Sequence, residues 1–401
     1  MKAKKRAVRP KQRASALKQI QDQKMARSAF DYVRGSTEKF YDWLGGIDKG
    51  TIPDGPPIWT CGDCHLGNLG PVANVEGKFE VEIRDFDQTV IGNPAFDLVR
   101  LGLSLASDAT VSDLPGLTIA DMLERMIHGY EMSFDPNFDQ KRDLDQPKTI
   151  SRLNKKAEAA TWTTVAEQDI DNEKFVLPHG RAFWPLSAEE RREINDLFAT
   201  EEMRDLATRL PARKDGADMT VVDAAFWRKG CSSLGRLRYA VLLQIGSKSD
   251  DRHHCLMDVK EAVKARAPDK PRADMPRDPA ERVVTGARCL SPYLGERMRA
   301  VRLMGKSVFV REVLPQDLKI EIDQLDRDEA KGVAGYLARV VGKAHGRQME
   351  PAARKAWRAE LQRSRSKSLE APTWLWRSVV DLLSDHERAY LEHCRQYALT
   401  R

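Results

Sequence analysis

Apolar residues along much of this chain recur at helical spacing, and alternation is confined to short runs, a pattern that predicts many helices and a few strands. Residues 19–44 read as helical, with Ala29-Phe30 and Tyr32-Val33 as apolar anchors, and a loop rich in Gly and Pro follows over 48–57. Residues 94–107 and 119–134 read as buried helices, followed by a polar connection over 135–147. Residues 151–187 are mixed, with Lys155-Lys156, Trp162 and a late Pro-His-Gly, and could shape a substrate cleft; 188–210 is charged and helical. Phe-Glu-Val-Glu-Ile at 79–83 alternates and returns from a turn at Glu76-Gly77, as a half-buried strand does. Apolar runs at 239–245 and 255–259, around a turn over 246–252, and at 298–303 and 308–313, around Gly305-Lys306, predict two hairpins. Between them, 264–279 is rich in Pro, Asp and basic residues and reads as a mobile connection, and Pro279–Leu290 as a helix. A helix over 328–348, a basic helical face over 354–367 and a last helix over 373–397, with Trp374, Val379, Leu382 and Leu383 at helical spacing, close the chain.

The early strand sits inside the strongest chemical clue. Residues 61–98 run Gly-Asp-x-His-x-x-Asn, then the strand ending in Asp-Phe-Asp, then Pro-Ala-Phe-Asp-Leu. Phosphoryl transfer needs this inventory: one carboxylate to orient a hydroxyl, and an amide and a second carboxylate to hold Mg²⁺. Gly62 opens a tight turn under Asp63, and Asn68 lies five residues on, so one compact loop aims both side chains into one cleft. Asp85 emerges at the strand's end, and with Asn68 it offers the oxygen ligands that a hard divalent cation takes. Asp63 is left to accept a proton, and Asp87 either adds to the metal site or caps the turn. Singly, each has an ordinary reading, since a Gly-Asp turn is usually only a turn and acids near a strand end are usually a solvated rim. Their order is what points to catalysis.

On these residues the stretch resembles the catalytic and metal loops of aminoglycoside and choline kinase-type phosphotransferases, whose pattern is His-Gly-Asp-x-His-x-x-Asn, then Ile-Asp-Phe/Trp, then Asp-x-Ala or Asp-Leu. The resemblance implies that Asp63 is the catalytic aspartate with His65 beside it as a hydrogen-bonded loop histidine, that Asn68 and Asp85 are the metal ligands, and that Asp97 braces the loop. Cys61 stands where those kinases usually carry His, so the bracing must differ. Over most of its length the chain is also similar to the bacterial domain-of-unknown-function family numbered 2252. The matching pieces are Lys24-Met25, Phe30-Asp31-Tyr32-Val33-Arg34-Gly35, the region just quoted, Ser232-Ser233-Leu234-Gly235 with Arg238, Val259-Lys260-Glu261-Ala262, Arg282-Val283-Val284 and Ala344-His345-Gly346. That likeness implies a kinase-like fold with unusual chain order and supplies no substrate.

The chain order can be argued from the residues. A kinase ordinarily begins with a glycine-rich hairpin and a lysine-bearing strand and reaches its catalytic loop later. Here the glycine turn comes afterwards, as Gly230-Cys-Ser232-Ser233-Leu-Gly235, and leads through Arg238 and a hairpin to Lys260. Amides at such a turn cradle phosphate oxygens, and a lysine on the adjacent strand neutralises them. Arg238 is a further candidate for the nucleotide, with pairing to a carboxylate as its ordinary alternative. Glu281 is the expected ion-pair partner of Lys260, with Glu261 as competitor, and 309–314 is the expected hinge beside an adenine ring. The helix over 328–348 would end near the Asp63 loop.

The expected architecture is therefore α+β, protein-kinase-like, two-lobed and circularly permuted. A basic flexible tail (1–18) precedes a helical large lobe with the catalytic and metal loops (19–229), a small nucleotide-binding lobe (230–314) and helices completing the large lobe (315–401). ATP and Mg²⁺ are the expected cofactors, and a hydroxyl on a small molecule or protein the acceptor; adenylyl transfer would use similar groups with the nucleotide reversed.

Two other classes stay open. A pseudokinase that binds nucleotide as an interaction module is favoured by Cys61. A metal or redox protein is suggested by Cys61-Gly62-Asp63-Cys64-His65, which reads C-x-x-C-H. Haem attachment predicts export, yet no apolar core follows the basic N-terminus. A thioredoxin site should open a helix, and Leu66-Gly67-Asn68-Leu69-Gly70-Pro71 is a poor start for one. Zinc wants a second ligand pair, for which His253, His254 and Cys255 are the dense candidate.

Composition sets the bounds. With 401 residues, 41% of them hydrophobic, the chain can bury a core large enough for two lobes. Six cysteines, irregularly spaced, are too few for a disulfide framework, and no apolar run approaches the ~20 residues of a membrane span. Cytoplasmic residence without a membrane partner is the simplest expectation. The net charge of +6 is concentrated at Lys2, Lys4, Lys5, Arg6, Arg9, Lys11, Arg13 and Lys18, the composition of a solvated tail. Without interleaved aromatics or a known module, no specific nucleic-acid partner is expected.

Overall fold

The computed structural model describes residues 8–112, 114–136, 146–159, 176–180, 182–210, 213, 216–230, 234–246, 253–269, 274–313, 325–363 and 371–399. Ten strands fall among them: β1 (Ile58–Thr60), β2 (Leu69–Ala73), β3 (Phe79–Ile83), β4 (Val90–Gly92), β5 (Phe183–Trp184), β6 (Met219–Trp227), β7 (Arg238–Ile245), β8 (His253–Glu261), β9 (Met298–Leu303) and β10 (Lys306–Val313). Strands β5 to β10 form one antiparallel sheet in the order β5-β6-β7-β8-β10-β9, while β1 pairs β4 and β2 pairs β3 in two small ribbons. Helices make up most of the rest, and the chain is α+β.

The large sheet is built so that its two faces differ. Because side chains alternate along a strand, Tyr239, Val241, Leu243, Cys255, Met257, Val259, Val308 and Val310 fall on one face and share a core with Ile194, Phe198, Met203 and Leu206 of the helices Ala188–Phe198 and Glu201–Thr208. The first of these helices starts where Ser187 and Glu190 close a capping box, each side chain bonded to the other's backbone amide. On the opposite face, register sets Arg238 and Phe309 on either side of Lys260, and Ala240 and Arg311 on either side of Asp258. Further along that face, Ala240, Leu242 and Leu256 are covered by Leu177, Phe183 and Trp227.

The helical part is assembled around Ala95–Val111, Gly116–Met132, Arg327–Gly346 and Thr373–Leu399, whose inward residues include Leu101, Leu123, Met126, Tyr130, Val333, Leu337, Val341, Leu375 and Val379. Two of these helices cross at Gly129 and Gly335, where a side chain would strike the neighbouring backbone.

The N-terminal region differs from expectation. In place of one helix over 19–44 there are three, Arg13–Met25, Ala29–Gly35 and Thr37–Gly46. The Ser28 hydroxyl accepts from the Asp31 amide and starts the second as an N-cap, and Ser36 interrupts before the third. The solvated tail also ends earlier than residue 18. Arg13 is buried against Glu190 at 2.5 Å and stacks on Phe226, and Leu17 joins the sheet's core. At its other end the same helix meets the last one, where His393 donates to the Asp22 carbonyl at 2.9 Å, and Lys24 reaches the Gly230 carbonyl at 2.6 Å. The helix Arg13–Met25 therefore spans from the sheet to the helical part. No described helix is long and apolar enough to cross a membrane.

The glycine crossing makes a signed prediction. In an open helix interior, Gly→Ala stabilises by roughly 0.5–1 kcal/mol, as expected at Gly332, where an added methyl meets only ordinary contacts with Pro147. Gly129→Ala should instead cost about 1–3 kcal/mol by overpacking, and urea unfolding of the two variants reads the opposite signs.

Candidate functional site

The segment from β1 to β2 is held tightly enough to place every side chain it carries. Gly62 has φ +75°, and a side chain there would collide with the Gln88 carbonyl, so this position requires glycine for both shape and space. The Asp97 carboxylate, at the start of the helix Ala95–Val111, accepts from the Cys61 amide at 2.7 Å and the Gly62 amide at 2.9 Å. Asp63 follows with both carboxylate oxygens engaged: Arg100 Nε donates to one at 2.8 Å and the Thr37 hydroxyl to the other at 2.9 Å. Arg100 is fully buried and also donates to the Val33 carbonyl at 2.7 Å. The Asn68 side-chain amide donates to the Asp63 carbonyl at 2.9 Å, so the two ends of the loop are tied together. His65 lies within the fold beside them.

Across the cleft, three cations from the sheet side hold residues 84–89. Lys260 Nζ lies 2.7 Å from Asp87 and 3.4 Å from Asp85. Arg311 donates to the Arg84 carbonyl at 2.9 Å, and Arg282 to the Asp87 carbonyl at 3.0 Å and to the Thr89 carbonyl. Asp258, fully buried, takes a bidentate pair from Arg238 at 2.6 and 2.8 Å and a third contact from Arg311 at 3.3 Å. Burial alone would raise both Asp85 and Asp258, but the surrounding cations outweigh it and hold each carboxyl below the usual range. Asp87 goes the other way, raised by burial and by neighbouring Asp85 against the pull of Lys260. The Asp85 side chain keeps 40% of its surface exposed, so of the pair it is the one that faces the solvent-filled space.

That space is a cleft of about 680 Å³ lined by Asp63, Asn68, Asp85, Asp87 and Arg236, with Lys18, Asp22, Thr37, Lys39 and Lys264 among the remainder of its wall. Most of its lining residues are polar or charged, with Met25, Tyr32 and Val263 as apolar exceptions, and the covered apolar residues of the sheet face do not contribute to it. The carboxylates of Asp63, Asp85 and Asp87 and the side-chain amide of Asn68 line one cleft, and oxygen donors of this kind are the ones a hard divalent cation takes.

Several expectations are placed differently. Glu281 is exposed, and its ion pair with Lys260 is not formed; the next residue, Arg282, is the one that turns inward. Glu261 pairs with Lys306. Gly230 and Gly235 both have positive φ, at 92° and 103°, as a glycine turn requires, whereas Ser232 and Ser233 lie outside the described residues. Arg238 is taken by Asp258. Phe309 packs beside Lys260, with the ammonium 5.8 Å from its ring centre, and residue 314 of the expected hinge is outside the described residues. The helix Arg327–Gly346 ends at β1, where Gln348 exchanges two bonds with the Trp59 backbone at 2.9 and 3.1 Å. The contributions of Thr37, Arg100, Arg282 and Arg311 escaped the sequence reading. Arg100 alone carried a signal, as a single charge inside the apolar run Leu98-Val99-Arg100-Leu101, where an unpaired charge would be costly.

The cysteines have a different setting from that of a second zinc pair. Cys61 and Cys64 are buried, and together with Asp97 they place three possible ligand atoms within 4.8 Å of one another. The Asp97 oxygens are already occupied by N–H donors. The Cys61 thiol is pushed well up by its hydrogen bond with Cys64 and by burial, and burial also raises Cys64 against the opposing effect of that bond. His253 and His254 open β8, and Cys255 belongs to the core on the sheet's other face.

The chain belongs to the bacterial family described as "Uncharacterized protein conserved in bacteria (DUF2252)", whose profile matches residues 13–396. Comparison with curated proteins and with solved structures finds no match.

The burial of His65 predicts an acid-sensitive stability. Burial, opposed by Asp63 and reinforced by Arg100 and Arg34, lowers its imidazole to about 4, and burial lowers His386 to about 4 as well. The unfolded imidazole takes its proton near 6.5, so between 6.5 and 4 the unfolded chain holds the extra proton and stability falls as pH falls. Urea midpoints measured across this window should drop on acidification, and His65→Gln should flatten the slope. An unchanged slope in that variant would remove His65 from the account.

Proposed function

We propose that the chain is an ATP- and Mg²⁺-dependent phosphotransferase with a kinase-like, two-lobed and circularly permuted build. The observation that carries this reading is the ion pairing of Lys260 with Asp85 and Asp87, two carboxylates that line the cleft together with Asp63 and Asn68. Nothing in the local sequence brings residue 260 to residue 85. Phosphoryl transfer calls for this meeting, because the lysine and the metal-binding carboxylate must both reach the phosphates. Further support comes from the order glycine turn, strand, lysine strand, helix and hairpin over 230–313, with the lysine strand β8 next to β10, the second strand of that hairpin.

In this reading Asn68 and Asp85 would hold Mg²⁺, which would supply positive charge to offset that of the phosphates during transfer. Lys260 exchanges its carboxylate partners for the phosphates, and Asp87 retains Arg236 at 3.5 Å as a neighbour. Gly230 and Gly235, both with positive φ, precede Lys260's partner strand β7 in the chain, and in this reading the glycine-rich stretch they bound is the one whose backbone amides would meet the phosphates. Asp63 orients the acceptor hydroxyl and takes its proton. Its two fixed donors, Arg100 and Thr37, set the carboxylate plane, and each oxygen keeps a second lone-pair direction for the hydroxyl.

Those same donors favour a second reading. Both Asp63 oxygens are already engaged by fixed donors, which suits a module that binds nucleotide without turning it over.

Calorimetric binding of ATP with Mg²⁺, and phosphate release, measured on wild type, Asp85→Ala, Lys260→Ala and Asp63→Asn, test the assignment. Asp85→Ala should lose the Mg²⁺-dependent part of binding, and Lys260→Ala should weaken binding by about tenfold or more. Asp63→Asn should keep binding and lower turnover by about 10²–10⁴-fold. Binding without turnover in the wild type selects the second reading, and unchanged binding in both Asp85→Ala and Lys260→Ala sinks the site.

A further inference from the structure

Cys61 leaves the loop without the histidine that its phosphotransferase-like pattern usually carries, and an imidazole arrives at the same support from elsewhere in the chain. His345, fully buried near the end of the helix Arg327–Gly346, places Nε2 3.1 Å from the Asp97 carboxylate. The oxygen it meets, Oδ2, is the one that accepts from the Cys61 amide. Its other ring nitrogen lies 2.8 Å from the Tyr130 hydroxyl, and that hydroxyl accepts in turn from Trp357 Nε1 at 3.1 Å. We infer that His345 is the positioning residue of the Asp63 loop, acting through Asp97 from a different helix in place of a loop histidine.

Donor and acceptor accounting gives the chain one direction. Trp357 can only donate, so the Tyr130 oxygen accepts from it; the Asp97 carboxylate can only accept, so His345 Nε2 donates, and in the neutral imidazole Nδ1 then takes the Tyr130 O–H. Asp97 passes its remaining capacity to the Cys61 and Gly62 amides. Every polar atom in the series is satisfied in this arrangement, and the series lies in a dry interior where an unmatched partner is costly. The series therefore fixes where the Asp97 carboxylate sits and, through two amides, where the next residue, Asp63, points. It also accounts for the occupancy of Asp97, whose oxygens are taken by nitrogen donors and not left for a metal shared with the thiols.

The test has two arms, of which only the second rests on the phosphotransferase reading. In hydrogen–deuterium exchange of the full chain, His345→Phe should speed uptake in the peptide spanning residues 58–66 at least tenfold while distant peptides keep wild-type rates. His345→Gln, which can still donate to Asp97, should recover most of the protection. Should the Phe variant fold poorly, Tyr130→Phe removes only the hydroxyl behind His345 and should give a smaller change in the same peptide. In the second arm, His345→Phe should lower turnover at least tenfold with ATP affinity unchanged, and Cys61→His added to His345→Ala should restore part of what His345→Ala loses. Unchanged exchange at 58–66 in His345→Phe, or equal damage from Phe and Gln, overturns the assignment. Absence of turnover in the wild type counts against the enzyme reading alone, and the exchange arm then decides the role of His345.

Discussion

The arrangement depends on how a nearly buried lysine is paired. Lys260 retains only a few per cent of its side-chain surface, and an ammonium so enclosed is tolerable only with anionic partners close by. Asp87 and Asp85 meet that demand, and in doing so they join the sheet to the helical part at one place. Arg282 and Arg311 do the same through backbone carbonyls, so residues 84–89 are held by charge and by hydrogen bonds together. Asp258 belongs to the same electrostatic group, since it absorbs the charge of Arg238 and part of that of Arg311 beneath the strands. The result is a set of acids divided by role: one sealed within the sheet, one bound to the lysine, and one partly open to the cleft.

The loop opposite is governed by a different kind of force. Asp63 and Asp97 are oriented by directional N–H and O–H donors from four separate stretches of chain, which are residue 37, residue 100, the loop's own amides and residue 345. Such convergence makes position rather than charge the property being fixed. A rigid carboxylate facing a partly open one across a polar cleft is the geometry that gives the site its chemical interest.

Much of this was legible in the sequence, and the boundary of legibility has a physical cause. The alternation at 79–83 and the apolar runs leading to Lys260 announce strands because side-chain periodicity is a local property, and both are found where the pattern places them. The acidic cluster was visible because Gly62, Asp63, Asn68, Asp85 and Asp87 lie within one short stretch. Long-range pairing leaves no such trace. The apposition of Thr37 and Arg100 on Asp63, or of His345 on Asp97, follows from packing, and only Arg100, isolated in an apolar helix, hinted at a hidden partner. The exchange of Glu281 for Arg282 shows how little separates the two cases: one step along a helix turns the side chain about 100°, from solvent to the interior. Strand β6 was overlooked because its apolar residues, Met219, Val221, Val222 and 224–227, do not alternate with polar ones, and only its last four residues are buried.

The helix Arg13–Met25 has a mechanical consequence. It is fastened to the sheet through Arg13 and to the terminal helix through the Asp22 carbonyl, while Lys18 and Asp22 form part of the cleft wall between those fastenings. It acts as a crossbeam that ties the sheet to the terminal helix along that wall. Of the two fastenings, the Arg13–Glu190 pair is nearly buried on both sides, so parting it would leave charge stranded in the interior, and that end of the beam is the firmer one.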